Sequence, residues 1–514
     1  MTRICRLLLC TCAALACATT GGGAARAGLE VGVTEDAGKS GSGAAFFATL
    51  ADIGLKVNRV SINWDPNNPT TIAGQAQIAA WMPQAQVTGT RIVFAVAPLS
   101  ARDLTASPSA RAQFIAFVEK VAKTFPTVKD YVIGNEPNQP RFWLPQFTAT
   151  GKPLSAAAYL PVLAGSYDVL KAVDPTITVI GVGLSPRGND QPLAKSNVSR
   201  SPVRFLHDLG VAYRASGRTK PVMDEIAFHP YPQRNDDSPD VGYAWPNAGL
   251  SNLDRVKQAV WDAFHGTPQA TFEEPGKTFA RPLRLDLDEL GWQVAIPPAL
   301  AGLYFGAETP GLVPVAEQTQ ADYYRDAIGF AECDASVRML NIFHLTDERN
   351  LDRWQSGLER ADGSHRPSYD SVKQTIAQTH GACQDLPVSW RHINAVTLPV
   401  AAWGNLRKPM PLKRKRWSFK AGAGEEATFR AGIFKAGPRK PVLAKRLATG
   451  RPKPLLLAKG TIKAKMRVVY FPSRKLKPGK YVYAIRMSAA MNPQRVSVLV
   501  SRPFRVGSAR RPRR

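Results

Sequence analysis

Between Leu29 and His380 the sequence passes eight times from a short β-branched run to a stretch with helical, amphipathic spacing. That alternation strongly limits the fold. Strands that run parallel need a long crossover between them, and a helix supplies it. The strand-like runs are "LEVGVTED" from Leu29, "KVNRVSINW" from Lys56, "RIVFAVAP" from Arg91 and "DYVIGNEP" from Asp130. They continue with "ITVIGVGLSP" from Ile177, "MDEIAFHPYP" from Met223, "LRLDLDELGW" from Leu283 and "RMLNIFHLTDE" from Arg338. Helix candidates lie between them, among them stretches from Ser109, Ser166, Leu253 and Thr319, and a last one from Ser368 follows the eighth strand. Eight units in roughly 350 residues predict an α/β fold, a (β/α)8 barrel with loop insertions, over residues 28–385. A doubly wound sheet is the rival, but it gives no reason for polar residues at so many strand ends.

Near Leu386 the pattern changes. Residues 386–417, with "RKPMPLKRKRW" at their end, read as a basic, proline-containing linker. Residues 418–507 hold short alternating strands separated by turn residues and predict a small all-β sandwich of immunoglobulin or fibronectin type. Residues 508–514 read as a basic disordered tail. Charge divides the chain the same way. Of the formal net charge of +27, the stretch from Arg391 to Arg514 carries +30, with 32 Lys and Arg against two acids, Glu425 and Glu426. The rest is close to neutral, so any anionic partner belongs to the C-terminal part.

Residues 1–27 combine a basic start (Arg3, Arg6), an apolar stretch and a small-residue site at Ala25-Arg26-Ala27, which predicts a signal peptide cleaved before Gly28. A lipoprotein signal ending at Cys17 is the alternative. A secreted protein with no transmembrane segment is expected. Four of the six cysteines fall in the signal, leaving Cys333 and Cys383 as one possible pair. Each follows a predicted helix, the seventh and the eighth, and neighbouring barrel helices end on the same face, so a disulfide is expected. No metal-ligand spacing occurs, and no cofactor is expected.

The strand ends carry a biased set of side chains: Asn58, Arg59, Asn63 and Trp64 after the second strand, and Asn135 and Glu136 after the fourth. His229 and Tyr231 follow the sixth, Glu289 and Trp292 the seventh, His344 and Asp347 the eighth. Barrels of this kind build active sites at these ends. Glutamates from strands four and seven would face each other across the mouth, one held protonated near neutrality and the other charged. Cleavage of a glycosidic bond needs such a pair, an acid for the leaving oxygen and a carboxylate at the anomeric carbon.

With "GNEPN" after strand four, "FHPYP" after strand six and "LDELGW" after strand seven, in that order, residues 28–384 resemble the clan A retaining glycoside hydrolases, the superfamily of cellulases and β-xylosidases. The resemblance implies Glu136 as acid/base, Glu289 as nucleophile, and Asn135 as donor to the sugar 2-hydroxyl. It further implies Tyr231 as hydrogen-bond partner of the nucleophile, His229 as a neighbouring site histidine, and Arg59 as the cation that keeps Glu289 ionised. Trp292 and Asp347 are candidates to support the substrate. One departure stands out: the family's tryptophan at the end of strand eight is missing, and the next one is Trp354.

Each assignment has a plainer alternative. Glu136 could cap or pair structurally. Asp288 or Asp286 could replace Glu289, although strand alternation groups Glu289 with Leu285 and Leu287 and puts the aspartates on the other face. Arg59 could be a salt-bridge residue, His229 and Tyr231 satisfied core groups, and His344 and Asp347 structural; Trp64, Trp143 and Trp292 could line a sugar cleft by stacking on pyranose C–H faces, or be ordinary packing. The expected activity is retaining hydrolysis of a β-linked oligo- or polysaccharide. The alternatives are a transglycosidase, and a catalytically weak carbohydrate-binding or envelope-associated protein on the same barrel. The basic module is expected to meet an anionic cell-envelope polymer or an acidic polysaccharide rather than nucleic acid, the plainer alternative being that its charge serves only solubility. Substrate choice is expected to lie in four inserts, Phe142–Ser155, Ser185–Ser201, Gln233–Leu250 and Pro297–Val315.

Overall fold

The computed structural model describes residues 28–36, 43–272, 282–384, 400, 402–404, 410–411, 417–451, 453–472 and 476–506. The signal segment, most of the linker and the basic tail lie outside the described residues. Strands β1 (Glu30–Thr34), β2 (Val57–Trp64), β3 (Arg91–Pro98), β4 (Asp130–Ile133), β5 (Thr178–Leu184), β6 (Glu225–Phe228), β7 (Arg284–Leu290) and β8 (Val337–Phe343) close a parallel barrel in sequence order, β8 returning to β1. The connecting helices are α1 (Ala44–Ile53), α2 (Gln75–Val87), α3 (Pro108–Thr124), α4 (Ser155–Val173), α5 (Pro202–Ala215), α6 (Leu253–Phe264) and α7 (Glu317–Glu332), with α8 (Pro367–Thr379) after β8. Helix starts follow local chemistry. Ser107 caps α3 by accepting from the Ala110 N–H, and Pro108 fills the first turn, where an N–H would have no partner.

Alternation along the strands divides two cores. Val31, Val33, Ile62, Phe94, Tyr131, Ile133, Leu285 and Leu287 pack outward against the helices, in one continuous apolar layer. Val57, Val93, Ala95, Val132, Ile180, Ala227 and Met339 form a separate small cluster in the lumen. Below it, the Arg338 guanidinium is ion-paired to Asp130 (2.7 Å), Glu225 (2.7 Å) and Asp286 (2.9 Å). A buried charge is tolerated only when paired in this way. Asp286 is therefore committed to the floor of the barrel, far along β7 from its mouth.

The C-terminal module has two antiparallel sheets. The smaller contains β9 (Ala402–Gly404), β10 (Met410–Pro411), β11 (Trp417–Ala423) and β14 (Met466–Tyr470). The larger contains β12 (Ala427–Lys435), β13 (Leu456–Ile462), β15 (Gly479–Ala489), β16 (Val496–Val500) and β17 (Phe504–Val506). Phe419, Phe429, Ile433, Tyr483, Ile485 and Met487 build the core between them. Two features differ from the sequence expectation. The stretch read as linker contributes β9 and β10, and a helix, α9 (Lys440–Thr449), joins β12 to β13. Leu443 and Leu447, four apart and so on one helix face, seat α9 on Phe434 and Val482.

The module contacts the barrel through ions. Arg495 pairs with Asp262 of α6 (2.8 Å) and with Glu425 (2.5 Å), and Arg204 of α5 pairs with Glu426 (2.9 Å). A disulfide joins Cys333, at the end of α7, to Cys383, after α8. Among the described residues no helix is long and apolar enough to cross a membrane.

Candidate active site

The C-terminal ends of the strands surround a cavity of about 1410 Å³. All four inserts reach its wall, through Phe142, Arg187, Asn235 and Leu312 among others. Its floor holds Arg59, Asn135, Glu136, Tyr231 and Glu289.

Backbone irregularities aim the two glutamates. After β4 the chain turns through Gly134 at φ 83°, and Glu136 itself sits at φ 37°, a left-handed conformation that side-chain-bearing residues seldom adopt. The Glu136 N–H is fixed by donation to the Gly183 carbonyl (2.8 Å). That carbonyl projects from a bulge in β5, where the register to β6 shifts between Gly181 and Leu184. Val182 and Gly183 both have positive φ there, at 78° and 51°. The Tyr159 hydroxyl stabilises the bulge by accepting from the Val182 N–H (3.0 Å) and donating to the Ile133 carbonyl (2.6 Å).

Glu289 arrives differently from the expectation. Leu285 and Leu287 face the helices, so strict alternation would turn Glu289 outward with them. A register shift between Leu287 and Leu290 breaks the alternation. Leu290 rejoins the outer core while Glu289 opens into the cavity. Asp288 points into the lumen, 0% exposed.

Arg59, 3% exposed, ties this set together. Its Nη1 donates to Glu289 Oε1 (2.9 Å), its Nη2 donates to Asn135 Oδ1 (2.9 Å), and its Nε lies 2.8 Å from Asp288 Oδ2 in an ion pair. The Tyr231 hydroxyl donates to Glu289 Oε2 at 3.2 Å. Burial and the neighbouring carboxylates push that phenol well above its usual range, so it stays a donor. His229, fully buried, sits among three carboxylates: Nδ1 lies 2.9 Å from Glu136 Oε1 and 3.4 Å from Glu289 Oε2, and Nε2 lies 3.1 Å from Asp288 Oδ1. Burial alone would lower its pKa, but Glu289 and Asp288 outweigh it and hold the imidazolium up to about 10. Burial raises the Glu289 carboxyl against the pull of His229 and Arg59. For Asp288 burial acts in the same direction, but the two cations win and its pKa falls.

Ligand atoms of Glu136, His229 and Glu289 lie within 4.8 Å of one another, close enough to span a metal ion. An imidazolium with both nitrogens against carboxylates has no lone pair to coordinate with, and its own positive charge already stands between the acids.

Other expected residues lie elsewhere. Trp292 is 1% exposed, donates to the Asp237 carbonyl (2.9 Å) and packs on Tyr323 and Tyr324 outside the cavity. Asp347 is taken up by Arg366 (2.6 Å), the Tyr304 hydroxyl (2.7 Å) and the Gly357 N–H (3.0 Å). Trp64 and Trp143 are core residues, edge-on to Phe114 and Tyr159. His344 does line the cavity, between Glu35 (3.3 Å) and Glu348 (3.6 Å). Trp354 also lines it, with ring centroids 4.9 Å from Tyr231 and 5.2 Å from Phe343, and its backbone N–H donates to Glu348 Oε2 (3.0 Å). The sequence reading missed Glu35, Asp36 and Tyr159. Only the acidic pair ending "TED" offered a signal.

No family model matches the sequence, and no curated protein does. Solved structures similar to the chain include a family 39 glycoside hydrolase from Bacteroides cellulosilyticus WH2, at 13% identity, 87% of this chain, 81% of that chain and TM-score 0.46. A GH39 β-xylosidase from Caulobacter crescentus matches at 13% identity over 87% of this chain and 96% of that one, TM-score 0.44. A glucosidase from Croceicoccus marinus matches at 12% identity over 93% and 96%, TM-score 0.44.

Proposed function

We propose that this chain is an exported retaining glycoside hydrolase acting on a β-linked oligo- or polysaccharide. The observation that carries the proposal is the approach of Glu136 and Glu289 from different strands across the mouth, one carboxylate oxygen of each lying no more than 4.8 Å from the other. That is near the roughly 5–5.5 Å of retaining enzymes and well short of the roughly 6.5–9.5 Å that leaves room for a water in inverting ones.

In the first step Glu289 attacks the anomeric carbon. The C–O bond to the leaving group breaks, and Glu136 gives that oxygen a proton. In the second, Glu136 takes a proton from water as the water oxygen displaces Glu289, restoring both carboxyls. Arg59 and Tyr231 each donate to an oxygen of Glu289, which fixes its orientation and favours its charged form. Asn135, held by Arg59, directs its amide toward the sugar. Proton NMR of the first-formed product tests the proposal. The anomeric configuration of the substrate should be kept, and an inverted product would sink it.

A further inference from the structure

The smaller sheet of the C-terminal module has an outer face unlike the rest of its surface. Along β11, Phe419, Ala421 and Ala423 point into the core, so Ser418, Lys420 and Gly422 point out. Register sets Trp403 opposite Gly422 on one side and Met466 on the other, Val468 opposite Lys420, and Tyr470 opposite Ser418. Trp403, Met466 and Tyr470 are 41%, 45% and 55% exposed.

Gly422 explains the posture of the indole. A Cβ there would stand 2.6 Å from Trp403 Nε1 and 2.7 Å from its Cε2, and the residue does not have positive φ. Glycine is needed for close approach rather than for backbone freedom. The indole therefore lies close over bare backbone at Gly422 and still leaves much of its surface exposed. Tyr470 stands four residues further along and on the other side of β11, about 14 Å along the strand and two strand spacings across it, roughly 17 Å in all, with Lys420 between.

We propose that this face binds an anionic polysaccharide. Trp403 and Tyr470 stack on pyranose C–H faces, and Lys420 pairs with a carboxylate between them. An exposed flat ring suits a sugar ring, whose C–H face is apolar while its rim is polar. Two rings set this far apart fit an extended chain of several sugars better than a single one. Charge supplies the sign of the partner. From Val400 onward the only acids are Glu425 and Glu426, and both are engaged at the barrel by Arg495 and Arg204. Nothing on this face would repel an anion, and the module's Lys and Arg excess would attract one.

Affinity electrophoresis of the full chain through gels containing polygalacturonate at low salt tests it, with neutral xylan as the parallel arm. Polygalacturonate should retard the chain more than xylan does. Tyr470→Ala and Trp403→Ala should each weaken the apparent affinity tenfold or more, and Lys420→Ala should lessen its salt dependence. Tyr470→Ala removes a mostly exposed ring, so its result stands even where Trp403→Ala lowers the melting temperature. Aromatic variants that run like the parent would overturn the face as a site, leaving general charge attraction. Equal retardation in xylan would overturn the anionic class. Binding to anionic lipid vesicles but not polygalacturonate, or dimerisation lost with Trp403→Ala, would replace the polysaccharide with another occupant.

Discussion

Arg59 touches Glu289, Asp288 and Asn135 with three different nitrogens, so the orientation of one guanidinium sets three side chains. The two glutamates can be told apart chemically. With an activated aryl glycoside, Glu136→Ala should still form the glycosyl-enzyme, and azide should restore turnover by giving a glycosyl azide of retained configuration. Glu289→Ala with azide should give the inverted azide, because the anion then takes the place of the missing nucleophile. Opposite anomers would mean that the roles are exchanged. His229 makes a separate point. Its folded pKa of about 10 lies above the unfolded value of about 6.5, so its stabilising contribution is complete below about pH 6.5 and is lost as pH rises through about 10. The facing groups are Glu136, Asp288, Glu289 and the Arg59 cation behind the last two. The melting-temperature gap between the parent and His229→Gln should narrow across that window, and parallel curves would show a neutral imidazole. At this scale the placement of side chains was most legible where a motif spans a strand end: Asn135, Glu136, Tyr231 and Glu289 line the cavity, and His229 is buried against Glu136 and Glu289. It misled at Trp292 and Asp347, because proximity to a strand end does not reveal to which side the following loop turns.

At the scale of elements, the eight strands and their order were readable because each carries a β-branched run bounded by turn residues. Bulges were not. Alternation assigned Glu289 to the face of Leu285 and Leu287, and the residue reaches the cavity only because the register slips before Leu290. The β5 bulge is equally silent in sequence, since it rests on a tyrosine from α4. Removing that hydroxyl by Tyr159→Phe leaves the buried Val182 N–H and Ile133 carbonyl without it, at a cost of about 1–3 kcal/mol. The melting temperature should fall, and kcat should fall with it because the Gly183 carbonyl anchors Glu136. A lowered melting temperature with unchanged kcat would detach the bulge from the site. Helix α9 escaped for another reason: it buries only Leu443 and Leu447, while Val442 is exposed and lysines and arginines fill much of the rest, so no apolar stripe stands out in a strand-rich, basic stretch.

At the scale of the molecule, the two units meet through Arg495, a buried cation shared between Asp262 of the barrel and Glu425 of the module. Arg495→Ala leaves two facing carboxylates without their cation, a loss of about 3–5 kcal/mol for a buried pair. Calorimetry should then resolve separate transitions for barrel and module, whereas an unchanged single transition would show that the contact holds nothing together. Turnover of small aryl glycosides should persist, since the cavity lining among the described residues ends at Trp354.

The engagement of Glu425 and Glu426 at that seam has a further consequence. From Val400 to the last residue the sequence has no histidine and no cysteine, so no side chain there has an ordinary pKa between the carboxylate range and about 10. The module's surface potential is therefore fixed across the mildly acidic to mildly alkaline range. The polyanion binding proposed for its outer sheet should therefore be insensitive to acidity across that range, and ionic strength, through a screening length of about 8 Å at physiological salt, should be the variable that sets how tightly a polyanion is held.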